Sequence, residues 1–294
     1  EELKRGRLDI DDFAPGLTFH LSSHNDFFEE IAKFRAARRM WHKLMTERYK
    51  AKDPGSTIFR FHIQTAGSTL VYHQPLNNAI RVAYQVLAAA LGGVQSMHAS
   101  SYDEPICLPT EQSVLLSIRT QQIAQNDINI TPVADPLGGS YYVEWLTNEL
   151  EEKAWGYLEE IESRGGLVAC IESGWIHREF SKAMNEQFKA IEKGEKKVVG
   201  LNCHKMDHEP YEIPIFYPDP ESTGQVQKEK LERLKEKRDN QKLEKIIDTL
   251  KRVSDNGENV MPTVMEAVRT GATVGEICNA WRDLFGIWKI PFRG

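Results

Sequence analysis

Three short runs of strand character, Leu17–Ser22, Thr57–Gln64 and Val94–Ala99, alternate with helix-length amphipathic stretches. This order limits the fold more than any other feature of the sequence. Strands separated by a helix return parallel through a crossover, and a parallel sheet needs cover on its faces. The intervening helices are predicted at His24–Lys50, Pro75–Leu91 and Thr110–Gln125. In the first, Phe27, Phe28, Ile31, Phe34 and Ala37 recur near the helical period, with Asn25 or Asp26 as N-cap. Glu1–Arg7 reads as the end of a helix.

After Pro136-Leu137-Gly138-Gly139 the character changes. Helices are predicted at Tyr141–Arg164 and from Trp175 to Lys193, with a short apolar stretch, Val198–Asn202, as one more strand. Glu221–Arg252 is dense in alternating charges, with a sparse stripe of Leu231, Leu234, Leu243, Ile246, Ile247 and Leu250. It reads as a solvated helix or helix pair packed on the body, because its heptads are not sustained as a coiled coil requires. Two short helices close the chain, Met261–Thr270 and Thr273–Phe285, with Asn259 and Thr273 as N-caps.

Composition sets bounds. With 294 residues, 40% hydrophobic and 27% charged, the chain can bury a sizeable core. A net charge of −6 disfavours a general nucleic-acid binder, and no apolar run approaches the roughly 20 residues of a membrane span. Glu1–Arg7 is charged rather than apolar, unlike a signal peptide. Four widely spaced cysteines (Cys107, Cys170, Cys203, Cys278) suggest a reduced, cytoplasmic setting. Cys203, His204 and His208 lack a fourth ligand for structural zinc, so no metal site is expected there.

The chemistry-bearing region is Arg60 to Leu108. Arg60, His62 and Gln64 fall at alternate positions of one strand and share a face, while Phe59, Phe61 and Ile63 share the other. If the apolar set meets the helices, the polar set lines a cavity able to hold a polyanionic or carbonyl-bearing ligand. A solvent-facing polar strand edge gives the same alternation. In the next strand Gln95, Met97 and Ala99 oppose Ser96, His98 and Ser100. Asp103 and Glu104 follow at its C-terminal end, where parallel sheets bind ligands.

"FRFHIQTAGSTL", "NNAIRVAYQVLAAALGGVQSMHASSYDE", "LPTEQSVLLSIRTQQI" and "DPLGGSYYVEWLTNELE" resemble the large, substrate-binding subunit of the coenzyme B12-dependent acyl-CoA mutases, the methylmalonyl-CoA mutase family. "DDFAPGLTFHLSSHNDFFEEIAKFRAARRMW" and "TVGEICNAWRDLFG" extend the resemblance over almost the whole chain. It implies an α/β fold: residues 1–138 as the C-terminal part of a (β/α)₈ TIM barrel with its last three strands, and 139–294 as a mainly helical extension and linker region. It implies an isomerase component with adenosylcobalamin as cofactor, bound jointly with a separate small cobalamin-binding subunit. The cofactor then supplies the radical chemistry and the protein supplies orientation and shielding. The other implied partners are an acyl-CoA substrate and an N-terminal barrel half, in a hetero-oligomer without which the chain is inactive.

By the same resemblance Thr18, Arg60, His62, Gln64 and Gln95 line the substrate channel. Gly67, Ser68, Ser100, Glu104, Pro105, Cys107 and Leu108 contact the cofactor. Gly16 and His20 stand where the family pattern has Arg and Phe, Ser68 where it has an aromatic, and Ser100 where it has Asn. The Gly-Tyr-His motif that carries the family's catalytic His is absent, as is the cobalamin signature Asp-x-His-x-x-Gly. These departures frame a second expectation, a non-catalytic binding or assembly module that retains the mutase scaffold.

Overall fold

The computed structural model describes residues 8–209, 211–289 and 291. The helix end read at Glu1–Arg7 lies outside the described residues. The chain forms two compact units, Glu1–Tyr217 and Pro218–Gly294.

The first unit is mixed α/β. A one-turn helix α1 (Ile10–Phe13) leads into β1 (Phe19–Ser23). Then come α2 (Phe27–Lys43), β2 (Phe61–Thr65), α3 (Asn77–Leu91), β3 (Ser96–His98) and α4 (Glu111–Asn126). The strands form one parallel sheet in the order β1-β2-β3. Phe19 pairs with Phe61 and Ser23 with Thr65 across the first ladder; His62 pairs with Ser96 and Gln64 with His98 across the second. Among the described residues β1 and β3 each have a strand neighbour on one side only.

The period-two pattern is what fixes this register, since a one-residue slip would turn every apolar side chain to water. Phe59, Phe61 and Ile63 are buried with Phe34 of α2 and Ala89 of α3, and Phe19, Leu21, Trp41 and Met97 pack around them. The Phe19 ring stacks on Phe59 at 4.5 Å and meets Trp41 edge-on at 5.0 Å. α2 carries Glu29 and Glu30 in its first turn and His42 and Lys43 in its last, which complements the helix dipole. It gives way to a π turn at Leu44–Arg48, short of the predicted end at Lys50.

Helix α5 (Tyr141–Ser163) packs on α2 through a small core of Ile31, Ala88 and Val143. Charged pairs flank it. Arg35 meets Asp135 and Glu144, and Arg39 and Lys43 converge on the buried Glu151. The basic stripe arises because residues 35, 39 and 43 recur every four positions on one helix face. The unit continues through α6 (Leu167–Glu172) and α7 (Trp175–Glu192).

The strand predicted at Val198–Asn202 is a tight turn instead. Its only ladder contact among the described residues is an isolated bridge from Val199 to Cys203. Gly200 takes a positive φ of 81°, and the Asn202 side chain binds the carbonyls of Ile191 and Lys196 and the amide of Val198. An extended strand would break all three bonds.

The second unit is helical: α8 (Pro220–Lys237), α9 (Asn240–Asp255), α10 (Met261–Arg269) and α11 (Val274–Phe285). The charged 221–252 region is thus a helix pair. α8 buries no residue, but α9 sinks Leu243, Ile246, Leu250 and Val253 into a core with Ala267, Ile277 and Ala280. Thr273 caps α11 in a reciprocal box with Glu276. The N-cap of α10 is Val260 rather than the predicted Asn259, whose Oδ1 accepts from the Met261 amide at 3.0 Å. No helix of the described residues is long and apolar enough to cross a membrane.

Candidate functional site

With the apolar face of the sheet closed by α2 and α3, the opposite face is polar. The register aligns its side chains in rows: His20 beside His62 beside Ser96, and Ser22 beside Gln64 beside His98. His20, Ser22, Ser96 and His98 are exposed, and His62 and Gln64 are half-buried. The His20 and His62 rings meet edge-on at 5.1 Å, and His62 Nδ1 lies 2.7 Å from Ser96 Oγ. Burial, and after it the neighbouring His20 and His98, hold the His62 imidazole below its usual value. His62 is therefore neutral at pH 7 and offers a hydrogen bond without a charge.

These causes can be separated. In His20→Gln the imidazole neighbour is gone while the burial persists, so His62 should titrate at higher pH than in the parent. Histidine NMR titration reads this directly, and an unchanged or lower midpoint would exclude coupling between the two rings.

At the C-terminal ends of β1 and β2 the polar face runs into a groove of about 500 Å³, lined by His20, Ser22, Gln64, Gly67 and Ser68. Lys33 of α2 reaches in and donates to the Ser22 carbonyl at 2.7 Å. The space that a Cβ of residue 67 would take is filled by the Glu104 carboxylate, so Gly67 lets that side chain lie close against the backbone. Gly67 and Glu104 thus form one rim, with Ser68 exposed beside them.

Other expected site residues lie elsewhere. Arg60 is at the N-terminal end of the sheet, where Nη1 donates to the carbonyls of Pro15 and Gly55, each at 3.0 Å. Thr18 is exposed just before β1. The Gln95 amide spans to the neighbouring strand, accepting from Phe61 N at 3.0 Å and donating to Phe59 O at 3.3 Å. Ser100 is buried, and its hydroxyl donates to Thr65 O at 3.1 Å. Cys107 is buried and Pro105 half-buried, while Leu108 is exposed and donates its amide to Phe216 O.

The adjacent carboxylates Asp103 and Glu104 separate. Asp103 is buried, and its Oδ2 accepts from the Thr110 amide and hydroxyl at 3.1 Å, fixing the start of α4. Only Glu104 faces the rim. Ser22 and Lys33 are site residues that the reading of the sequence missed. Ser22 was legible from its alternation with His20; Lys33 had no local signal. Among the described residues no three His, Cys, Asp or Glu side chains converge as a metal site would.

Comparison with known proteins adds the following. The family described as Methylmalonyl-CoA mutase matches residues 1–287. The 2-hydroxyisobutanoyl-CoA mutase large subunit of Aquincola tertiaricarbonis is 40% identical over 98% of this chain and 51% of its own length. The Methylmalonyl-CoA mutase of Rhizobium meliloti (strain 1021) is 40% identical over 95% of the chain and 39% of its own length. The mitochondrial Methylmalonyl-CoA mutase of Homo sapiens is 35% identical over 97% and 38%. The chain spans about half or less of the length of these relatives.

Proposed function

The chain belongs to the methylmalonyl-CoA mutase family, and from that premise we propose that it is the part of an adenosylcobalamin-dependent acyl-CoA mutase that closes the substrate barrel. The three strands are then the last three of a (β/α)₈ barrel, and their polar face is the channel wall. The observation that carries this reading is the in-register set of His20, His62, Gln64 and His98, which leads to an open rim at the C-terminal strand ends. In parallel α/β folds that end is where ligands sit.

The roles follow from the geometry. His62, oriented through Nδ1 and neutral, holds the acyl carbonyl by a hydrogen bond, and the Gln64 amide adds a second polar contact. The apolar face locked beneath them keeps both side chains in place. Arg60 and Gln95 act through the strands they tie together.

The rim suits a large flat cofactor. Gly67 lets the Glu104 carboxylate lie close against the backbone, Ser68 adds no bulk beyond a hydroxyl, and the exposed Glu104 can accept from ribose hydroxyls. Adenosylcobalamin, when bound, supplies the radical chemistry that removes and returns a substrate hydrogen. Ser100, Cys107, Pro105 and Leu108 shape the loop behind that rim. The partners proposed are an N-terminal barrel half and a small cobalamin-binding subunit, assembled in the cytoplasm.

Reconstitution tests the reading. The chain is combined with the N-terminal segment of a relative and a cobalamin-binding subunit, and turnover of methylmalonyl-CoA and 2-hydroxyisobutanoyl-CoA is assayed. The assembly should turn over one of them and the chain alone neither. His62→Ala should lower kcat/KM of the assembly by about 100-fold. Turnover by the chain alone would overturn the proposal. A stable, inactive complex would instead support an assembly module, the reading that Gly16, His20, Ser68 and Ser100 favour.

A further inference from the structure

A second cavity lies away from the polar strand face, on the outer side of α3. It has about 470 Å³, within the range of about 300–1,000 Å³ typical of small-molecule sites. Ile80 and Tyr84 form one wall from successive turns of α3, both more than half exposed at 56% and 62%. Val198 and Val199 of the tight turn form another.

The charge around this apolar body is unbalanced. Arg81 is half-buried, and among the described residues its guanidinium donates only to neutral acceptors, Asn78 Oδ1 at 2.7 Å and Val199 O at 2.6 Å. Lys196 and Lys197 stand on the rim without a salt bridge among the described residues. Asp26, at the N-cap of α2, is the one carboxylate in the lining. Three cations therefore face one anion. A half-buried guanidinium that meets only neutral acceptors leaves its charge without compensation, which favours an added anion.

The walls are preformed. Asn25 contributes a polar edge, held by Gln85 Nε2 at 2.6 Å. Gln85 is itself buried and donates also to Thr69 Oγ1 at 2.7 Å. The 196–202 turn is pinned by the three Asn202 hydrogen bonds. A site built this way gives up little conformational freedom on binding.

We propose that this cavity binds a small organic anion with a planar body, of the nucleoside monophosphate class. The planar group lies against Tyr84 and Ile80, and the phosphate meets Lys196, Lys197 and Arg81. A tyrosine face with an adjacent cationic cluster is the pairing that recognises a stacked base carrying a phosphate. This cavity is separate from the groove of the proposed mutase channel and shares no lining residue with it.

The test is isothermal titration of the full chain with AMP, adenosine and inorganic phosphate. AMP should bind saturably, with adenosine and phosphate each at least tenfold weaker. Tyr84→Ala, and Lys196→Glu combined with Lys197→Glu, should each weaken AMP at least tenfold. These positions are exposed, so circular dichroism should show unchanged folding. Gln64→Ala, on the polar strand face, should leave AMP affinity intact. The proposal fails if AMP does not saturate, if the Tyr84 and lysine variants bind it like the parent, or if phosphate alone binds as tightly. It also fails if Gln64→Ala abolishes binding, since AMP would then occupy the channel.

Discussion

Replacing Phe34 by alanine should destabilise the sheet-bearing unit by about 3–5 kcal/mol, the cost of truncating a fully buried aromatic. Phe34 is completely buried and is the point where α2, β2 and the end of α3 meet. Its ring lies 5.6 Å from that of Phe61. It also packs so closely on Gly92 that a Cβ there would overlap it, at 2.7 Å. The surrounding rings are held by their own contacts, Phe59 lying tilted against both Phe61 and Trp41, so they are not free to collapse into the space. Urea unfolding followed by tryptophan fluorescence measures the loss. Phe180→Ala is the comparison, since that ring is 67% exposed and its removal should cost within about 0.5 kcal/mol. Equal effects of the two substitutions would place the core elsewhere.

The second large effect belongs to the helical unit. Arg238 forks both guanidinium nitrogens onto the Glu276 carboxylate, and Nη1 also donates to Gly271 O at 2.8 Å. The arginine side chain is 8% exposed and the glutamate 30%. Arg238→Ala should cost about 2–4 kcal/mol, somewhat below a fully buried pair because Glu276 keeps partial access to water. The bond from Arg238, with those from Thr273 behind it, outweighs burial and holds the Glu276 carboxyl at about 2, against 4.5 normally. The unfolded chain therefore takes up this proton first as the solution is acidified. The pair stabilises the fold in full above about pH 4.5 and loses that contribution between pH 4.5 and 2. The stability gap between parent and Arg238→Ala should thus be constant from pH 7 to 5 and shrink below. A gap that holds at pH 3 would contradict the assignment.

Much of this was legible in the sequence because it is periodic. Phe59, Phe61 and Ile63 announce a buried face, and the same period places His62 and Gln64 opposite. The 3.6-residue recurrence of Ile31 and Phe34 announces the helix that covers them. Thr273 and Glu276, three apart before an apolar run, announce the last helix. The misses depend on side-chain contacts that periodicity does not show. Val198–Asn202 has strand composition, but the Asn202 side chain bonds the nearby backbone of Val198, Ile191 and Lys196 and holds it as a turn. Ser100 and Gln95 have the composition of ligand-facing groups, yet Thr65 and the Phe59–Phe61 backbone engage them. Asp103 and Glu104 are indistinguishable in sequence, and only the position of Thr110 separates a buried cap from a rim carboxylate. The stripe of α9 looked solvated because its charges outnumber its leucines, but its apolar residues fall on one arc.

The parallel register also sets an order of events during synthesis. Phe19 cannot meet Phe61 until about 40 further residues have been added, which takes about 2–8 s on a ribosome. During that time β1 has α2 as cover but not yet its β2 partner. Once β2 emerges, one pairing step closes the loop, seats the aromatic layer and turns the polar row outward together. These three strands therefore join in the order β1, β2, β3, and the face proposed to hold the substrate comes into being only when each later strand arrives.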